Sequence, residues 1–297
     1  MERPSGPLPT RVQGTDPLPD EYASTLETGL SALGIDLPPG ARDAIDGHVR
    51  LLLAWNRAIN LTAIRDPVAA ASLHVLDSLA AVPLLRAEGA ERLLDLGSGG
   101  GFPGVPLAAA LPADALLVES IGKKAVFLRT TVDALELPSR VGVAAERAET
   151  LAADADHREA WPVVVARAVA ALPELAELAM PLVAIDGLLV AWKREPLEHE
   201  VDAARAIVGQ LGGDRPEVVD IALPGLEAPV ARQVRSRSRA RAVRFRSAAE
   251  RGYRSGVRER LRMTTRRWSS SPGNAISTTS GRSPPSWPTI ARAASTS

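Results

Sequence analysis

The chain has 297 residues, no net formal charge, 45% hydrophobic residues and no cysteine. That length can bury a sizeable core as one large domain or two small ones, and the missing thiols exclude disulfides and thiolate metal sites. The zero net charge averages two unlike parts: residues 232–297 carry 16 Arg, no Lys and two acids, leaving 19 basic and 33 acidic residues before them.

An acidic body is not the default of a nucleic-acid binder, so any contact with RNA needs a local basic patch. Residues 1–20 hold five prolines and no periodicity, which predicts a disordered leader without the apolar segment of a secretion signal. No run reads as long enough to span a bilayer, and a cytoplasmic monomer in a reducing compartment is expected.

A helical region is expected over residues 21–90. Ile45, Val49, Leu52, Leu53 and Ile59 recur at helical spacing and form one apolar stripe. Asn60-Leu61-Thr62 breaks it. Asp66-Pro67 then supplies an N-cap and first turn for a second helix through Val68, Leu73, Leu76, Leu79 and Val82.

The stretch Arg92 to Gly104 organises the next domain, expected over 91–231. Leu93 to Leu96 is a short apolar run with one acid, suited to a parallel strand buried on both faces. Gly97, Gly99, Gly100 and Gly101 follow at once, so the backbone can turn tightly and approach a ligand closely. Pro103 pre-sets the first turn of a helix. Strand, glycine loop and helix N-terminus together predict a nucleotide-type cofactor site.

The spacing discriminates among cofactors. Counted from Gly97, the third glycine of a dinucleotide fingerprint falls on Phe102. The pattern is instead acid-x-G-x-G-x-G, with Asp95 placed to sit beside an amino group and a sulfonium. Glu119 ends the run Ala115 to Val118 about 20 residues past the loop, where an acid grips ribose hydroxyls. Both acids favour S-adenosylmethionine over NAD or another nucleotide; a purely structural turn is the alternative to any site.

Apolar runs then alternate with helical segments, the pattern of a doubly wound parallel sheet in an α/β, Rossmann-like fold. Strands are predicted at 92–96, 115–119, 140–144, 162–166, 186–192 and 217–222, and helices at 103–111, 122–135, 171–181 and 197–211. Arg167 follows Val163-Val164-Val165-Ala166, which places it at a carboxyl strand end, where ligands bind. Residues 232–297 show no sustained apolar face and read as a disordered Arg/Ser-rich tail. It is either an RNA-binding arm or a non-native extension.

In combination these residues resemble a known family. Trp55 to Pro67, then His74-Val75-Leu76-Asp77-Ser78, then the glycine loop ending Gly101-Phe102-Pro103-Gly104 are similar in order and spacing to the small-subunit ribosomal RNA methyltransferase G family, also called glucose-inhibited division protein B. Glu119 to Lys124, Arg147-Ala148-Glu149, Ala166-Arg167-Ala168 and Trp192-Lys193 resemble its later motifs. The resemblance spans about residues 45–226.

It implies methyl transfer from S-adenosylmethionine to N7 of a guanine in 16S ribosomal RNA, free or in the small subunit. It also implies that Gly97 and Phe102 line the methionine side of the donor, that Ala148 and Glu149 flank the adenine, and that Arg167 closes the site. One departure stands out. The family ends on an apolar strand after Leu223-Pro224-Gly225-Leu226, whereas here an Arg-rich run follows and Ala242-Val243-Arg244-Phe245 is only a weak candidate. The sheet is therefore expected to lack a strand.

Guanine N7 already carries an exposed lone pair, so transfer can rest on proximity and alignment, and no acid–base pair is required. Lys123, Lys124, Arg167 and Lys193 are candidates for holding phosphates or the guanine edge, against a solvated helix face for Lys123-Lys124. His74, Asp77 and Ser78 are neighbours on one helix and not a hydrolytic triad; they form either a polar face against the glycine loop or plain surface. Trp55 reads as packing. His48, His157 and His199 lack companions at metal-ligand spacing, and no metal is expected. Two alternatives from other classes are a small-molecule methyltransferase, which needs an enclosed apolar pocket, and an inactive donor-binding module.

Overall fold

The computed structural model describes residues 7–137, 139–193, 197–223 and 231–239, all in the first of two units, Met1–Arg244 and Phe245–Ser297. Seven strands make one sheet: β1 Arg92–Leu96, β2 Asp114–Val118, β3 Val141–Ala144, β4 Trp161–Arg167, β5 Val183–Lys193, β6 Glu217–Ile221 and β7 Ala231–Arg237. Their order is β3-β2-β1-β4-β5-β7-β6. Strands β1 to β5 pair in parallel, while β7 runs antiparallel to both β5 and β6. This is the α/β, Rossmann-like sheet expected from the sequence. Leu93, Leu94 and Leu96 on β1 and Val163, Val164 and Val165 on β4 are buried, as central parallel strands covered on both faces must be.

The N-terminal region contributes α1 Asp20–Ala32, α2 Ala41–Trp55, α3 Pro67–Ala70, a π-helical turn Ala71–Leu76, α4 Asp77–Leu79 and α5 Val82–Ala87. The Asp66 carboxylate accepts from the Ala69 amide at 2.6 Å and caps α3, with Pro67 behind it, as its sequence position indicates. Ile45, Val49 and Leu52 of α2 join the hydrophobic core that also holds the helix after the glycine loop, α6 Gly104–Ala110, whose seven residues are all buried. The remaining helices are α7 Gly122–Ala134, α8 Ala148–Ala153, α9 Leu172–Ala179 and α10 Glu198–Gln210. Of these only α8 has no counterpart among the predicted helices.

Three expectations need correction. First, Pro67–Ala87 is long and apolar enough to cross a membrane by length and composition, with mean hydropathy 1.7, but 72% of that window is buried inside the protein. The apolar run that sequence reading passed over belongs to the core. Second, residues 7–20 of the expected leader are ordered against α2. Trp55 donates to the Pro9 carbonyl at 2.7 Å, and Arg50 donates to the carbonyls of Thr15 and Asp16 at 2.8 and 3.0 Å. Extended, proline-rich backbone exposes its carbonyls, and α2 supplies the donors.

Third, the sheet does not lack its last strand. β7 begins at the edge of the segment set apart as an Arg-rich tail and inserts between β5 and β6, so the sheet runs past the boundary drawn at 231. Val234, Gln233 and Ser236 are buried there. Arg237 pairs with Glu88 at 2.6 Å, and just past the strand Arg239 pairs with Asp214 at 2.6 Å. Backbone ladders on both sides hold this strand, so it needs no apolar alternation of its own. The rest of the tail, 240–297, and the candidate strand 242–245 lie outside the described residues. So does the Leu-Pro-Gly-Leu motif beyond Leu223.

Candidate active site

The carboxyl ends of β1, β2 and β4 open into a cleft of about 680 Å³ whose walls include the glycine loop, Glu119, Arg167 and the π-helical turn. A parallel sheet places its ligand site at this edge, where the strand order reverses between β2 and β4 around β1. The loop is shaped by left-handed residues. Gly97, Gly99 and Gly101 have φ of 72°, 55° and 89°. A Cβ on Gly101 would lie 2.7 Å from His48 Nε2, and one on Gly97 would lie 2.7 Å from Val169 Cγ2. A Cβ on Gly99 would meet nothing nearer than the Gly97 carbonyl at 3.8 Å, so that glycine leaves room on the ligand side of the loop.

Glu119 is buried at the cleft wall. Its Oε2 accepts from the Gly99 amide at 2.9 Å and its Oε1 from the Ile121 amide at 2.7 Å. It therefore ties the loop to the start of α7, and a carboxylate so held repels a pyrophosphate but accepts from hydroxyls. Asp95 is placed differently from expectation. It is fully buried beneath the loop, outside the cleft wall, with Oδ2 accepting from the Gly104 amide at 3.0 Å. Burial pushes its carboxyl up to about 7, against the lowering effect of hydrogen bonds from Ser98 and Gly104. It braces the start of α6 from outside the cleft wall.

His48 supports the same loop from below. Its ring is fully buried and its Nε2–H donates to the Gly100 carbonyl at 2.8 Å. Burial drives its pKa down to about 4, so it stays neutral. Phe102 lies between two imidazoles, 4.4 Å from His48 and 4.7 Å from His74, and the Arg167 guanidinium sits 5.1 Å over its ring.

Arg167 is fixed from one side by the π-helical turn and α4. Nη1 donates to Asp77 Oδ2 at 3.0 Å and to the Leu73 carbonyl at 3.3 Å, and Nη2 donates to His74 Nδ1 at 3.1 Å. A π turn of this kind recurs at functional sites, and here Leu73 and His74 within it and Asp77 just after it all meet Arg167. Trp192 closes the same corner by donating to the Asp77 carbonyl at 2.8 Å. Ala168, directly after Arg167, takes φ of 57°, a strained value for a residue with a Cβ.

Across the cleft, Lys193 is paired with Glu200 at 2.6 Å and donates to the Ala170 carbonyl at 2.6 Å. Burial favours the neutral form of Glu200, but hydrogen bonds from Lys193 and the Leu172 amide, with the lysine charge, hold its carboxyl below the usual range. Lys124 lines the cleft without an ion pair among the described residues, while Lys123 is exposed and outside its wall. Ala148 and Glu149 open α8 beyond β3, also outside the wall. The structure thus brings Gly97, Gly99, Phe102, Glu119, Lys124, Arg167 and Lys193 together, and leaves Asp95, Lys123, Ala148 and Glu149 off the cleft surface. Gly101 serves the loop from within. Thr62, Trp192 and Glu200 were not singled out as site residues by sequence reasoning. His74 and Asp77 read in sequence only as a polar helix face or plain surface, and their i, i+3 spacing was the available signal.

The cleft offers a glycine-lined backbone, a carboxylate held by two amides and an aromatic ring in the loop, and a carboxylate at that place disfavours a pyrophosphate. The chain matches the sequence profile described as rRNA small subunit methyltransferase G over residues 42–221. It is 38% identical over 208 residues to the ribosomal RNA small subunit methyltransferase G of Symbiobacterium thermophilum, covering 68% of this chain and 85% of that protein. With the same-named protein of Roseiflexus sp. the identity is 44% over 177 residues, 59% of this chain and 75% of that one. Among solved structures, an O-methyltransferase from Bacillus cereus in complex with SAH is similar at 15% identity and TM-score 0.48, covering 73% of this chain and 100% of that one. The chain belongs to the rRNA small subunit methyltransferase G family.

Proposed function

We propose that the chain transfers a methyl group from S-adenosylmethionine to N7 of a guanine in 16S ribosomal RNA, acting as a cytoplasmic monomer. The observation that carries this reading is the family match over 42–221, which contains every wall of the glycine-loop cleft. The bound donor supplies an electrophilic methyl on sulfonium. The protein's part is alignment: the loop from Gly97 to Phe102 takes the methionine end, Glu119 takes ribose hydroxyls, and Arg167 fixes the far wall. Ala148 and Glu149, past the end of β3, are the assigned neighbours of the adenine.

Because N7 brings its own lone pair, no residue has to remove a proton before attack, and an effective-molarity gain can supply most of the acceleration. Lys124 and Lys193 are assigned to the RNA, Lys124 as a mobile charge for phosphate and Lys193 as a cation positioned by Glu200, with Lys123 outside the mouth. A small-molecule substrate asks for an enclosed apolar pocket, whereas this cleft sets Glu119, Lys124, Arg167, Lys193 and Glu200 among apolar residues such as Leu61, Phe102 and Trp192.

The test is methyl transfer from labelled donor to small-subunit RNA prepared from cells lacking the endogenous mark, beside calorimetric donor binding. Label mapped to a guanine N7 is expected. Donor binding with no label in RNA or assembled subunits would refute the assigned substrate.

A further inference from the structure

Thr62 lies on the cleft wall in a turn whose backbone is clamped. The buried Asn56 side chain accepts from the Leu61 and Thr62 amides at 2.8 and 3.0 Å and donates to the Thr62 carbonyl at 2.9 Å. The Thr62 hydroxyl oxygen is equally committed. It accepts from the Ile64 amide at 3.0 Å and lies 2.7 Å from His74 Nε2.

The direction of that second bond follows from Arg167. A guanidinium only donates, so the 3.1 Å contact from Arg167 Nη2 makes His74 Nδ1 an acceptor. The neutral ring then carries its proton on Nε2 and donates it to Thr62. Both acceptor positions of the hydroxyl are occupied, and its own proton meets no acceptor among the described residues. Such a hydroxyl is a donor only.

We infer that Thr62 is a ligand-binding residue whose hydroxyl donates to an acceptor oxygen brought into the cleft. The inference rests on the function proposed above, which supplies two ligands with such an oxygen: O6 of the guanine, adjacent to N7, and the carboxylate of the methyl donor. An adenine offers an amino donor where guanine has O6, so in the first case the relay Arg167–His74–Thr62 also selects the base.

Thr62→Val keeps the shape and deletes the hydroxyl; Thr62→Ser keeps the hydroxyl. Each variant is compared with the unaltered chain in two arms. Calorimetry measures Kd for S-adenosylmethionine and for its decarboxylated form. Kinetics measure kcat/KM on small-subunit RNA with guanine or 2-aminopurine at the mapped target. The valine variant is expected to lose on the order of tenfold in one arm, the size of one hydrogen bond, and serine to restore it.

A loss in Kd that vanishes with the decarboxylated donor assigns the carboxylate. A loss in kcat/KM at unchanged Kd that vanishes with 2-aminopurine assigns O6. A loss of equal size with and without the oxygen, as from a displaced His74, overturns the inference, and so does a change under twofold in both arms. If the unaltered chain methylates no RNA, the proposed function fails on its own and the calorimetric arm alone decides on Thr62.

Discussion

Asp95→Asn separates a buried acid that braces the loop from one that serves a ligand. The carboxyl is fully buried, and Oδ1 has no partner among the described residues. Its pKa rises from 3.8 to about 7 in the fold, chiefly by desolvation. A carboxyl with a raised folded pKa favours folding below its unfolded value and loses that contribution as pH climbs through the folded one. Three pH units correspond to about 4 kcal/mol, so ionising Asp95 should remove about that much stability between pH 4 and pH 7.

His48 acts in the opposite sense. Its pKa falls from 6.5 to about 4, so its contribution, about 3 kcal/mol, is present above pH 6.5 and lost as pH falls toward 4. The two nearly cancel in the unaltered chain below pH 6.5, which hides both. Asparagine can still accept from the Gly104 amide and carries no titration, so any packing cost it brings is constant with pH. Urea unfolding of both proteins from pH 4 to pH 8 should show the stability of the variant rising relative to the unaltered chain by about 4 kcal/mol. A difference that stays within about 1 kcal/mol across that range would refute the buried, brace-like role of Asp95.

Gly101→Ala and Gly99→Ala should part company. The first puts a Cβ 2.7 Å from a His48 ring pinned by Gly100 and Phe102, and is expected to cost about 2–4 kcal/mol in thermal or urea unfolding. The second meets nothing nearer than the Gly97 carbonyl at 3.8 Å, so stability should fall by about 1–2 kcal/mol from the left-handed backbone, while donor Kd rises at least tenfold in calorimetry. Arg167→Lys cannot reach Leu73, His74 and Asp77 together. It should give up hydrogen bonds from the guanidinium to this corner, lowering stability by about 1–3 kcal/mol and kcat/KM by more than tenfold; near-normal kinetics would remove Arg167 from the site. A chain ending at residue 239 should fold and bind donor, and one ending at 230 should not, because it lacks the strand paired to β5 and β6; circular dichroism and calorimetry on both would decide.

Much of this protein is written locally. The run Leu93 to Leu96 followed by closely spaced glycines can hardly be anything but a buried strand and a close-approach loop, because apolar periodicity and left-handed φ are properties of short segments. The same holds for the cap at Asp66-Pro67 and for Glu119 directly after β2. Spacing alone also separated a methyl donor from a dinucleotide at Phe102. What failed were positions whose meaning depends on distant partners. β7 looked like charged tail because Arg237 and Arg239 find Glu88 and Asp214, 149 and 25 residues away in sequence. The leader looked unstructured because its carbonyls are satisfied from α2, and Asp95 looked exposed to ligand because nothing local says which side of the loop it takes.

Sequence by itself determined the strand–loop–helix unit, since it follows from residue types within a few positions of one another, and the alternation of apolar runs with helical segments along the chain indicated the α/β sheet. Only the tertiary structure decided that His74, Asp77 and the Leu73 carbonyl hold Arg167 in place, that Thr62 ends a chain of hydrogen bonds at the cleft, and that an Arg-rich segment completes the sheet. Hydrogen-bond direction and burial are set by which groups meet across the fold, and that meeting is not encoded in any one stretch of chain.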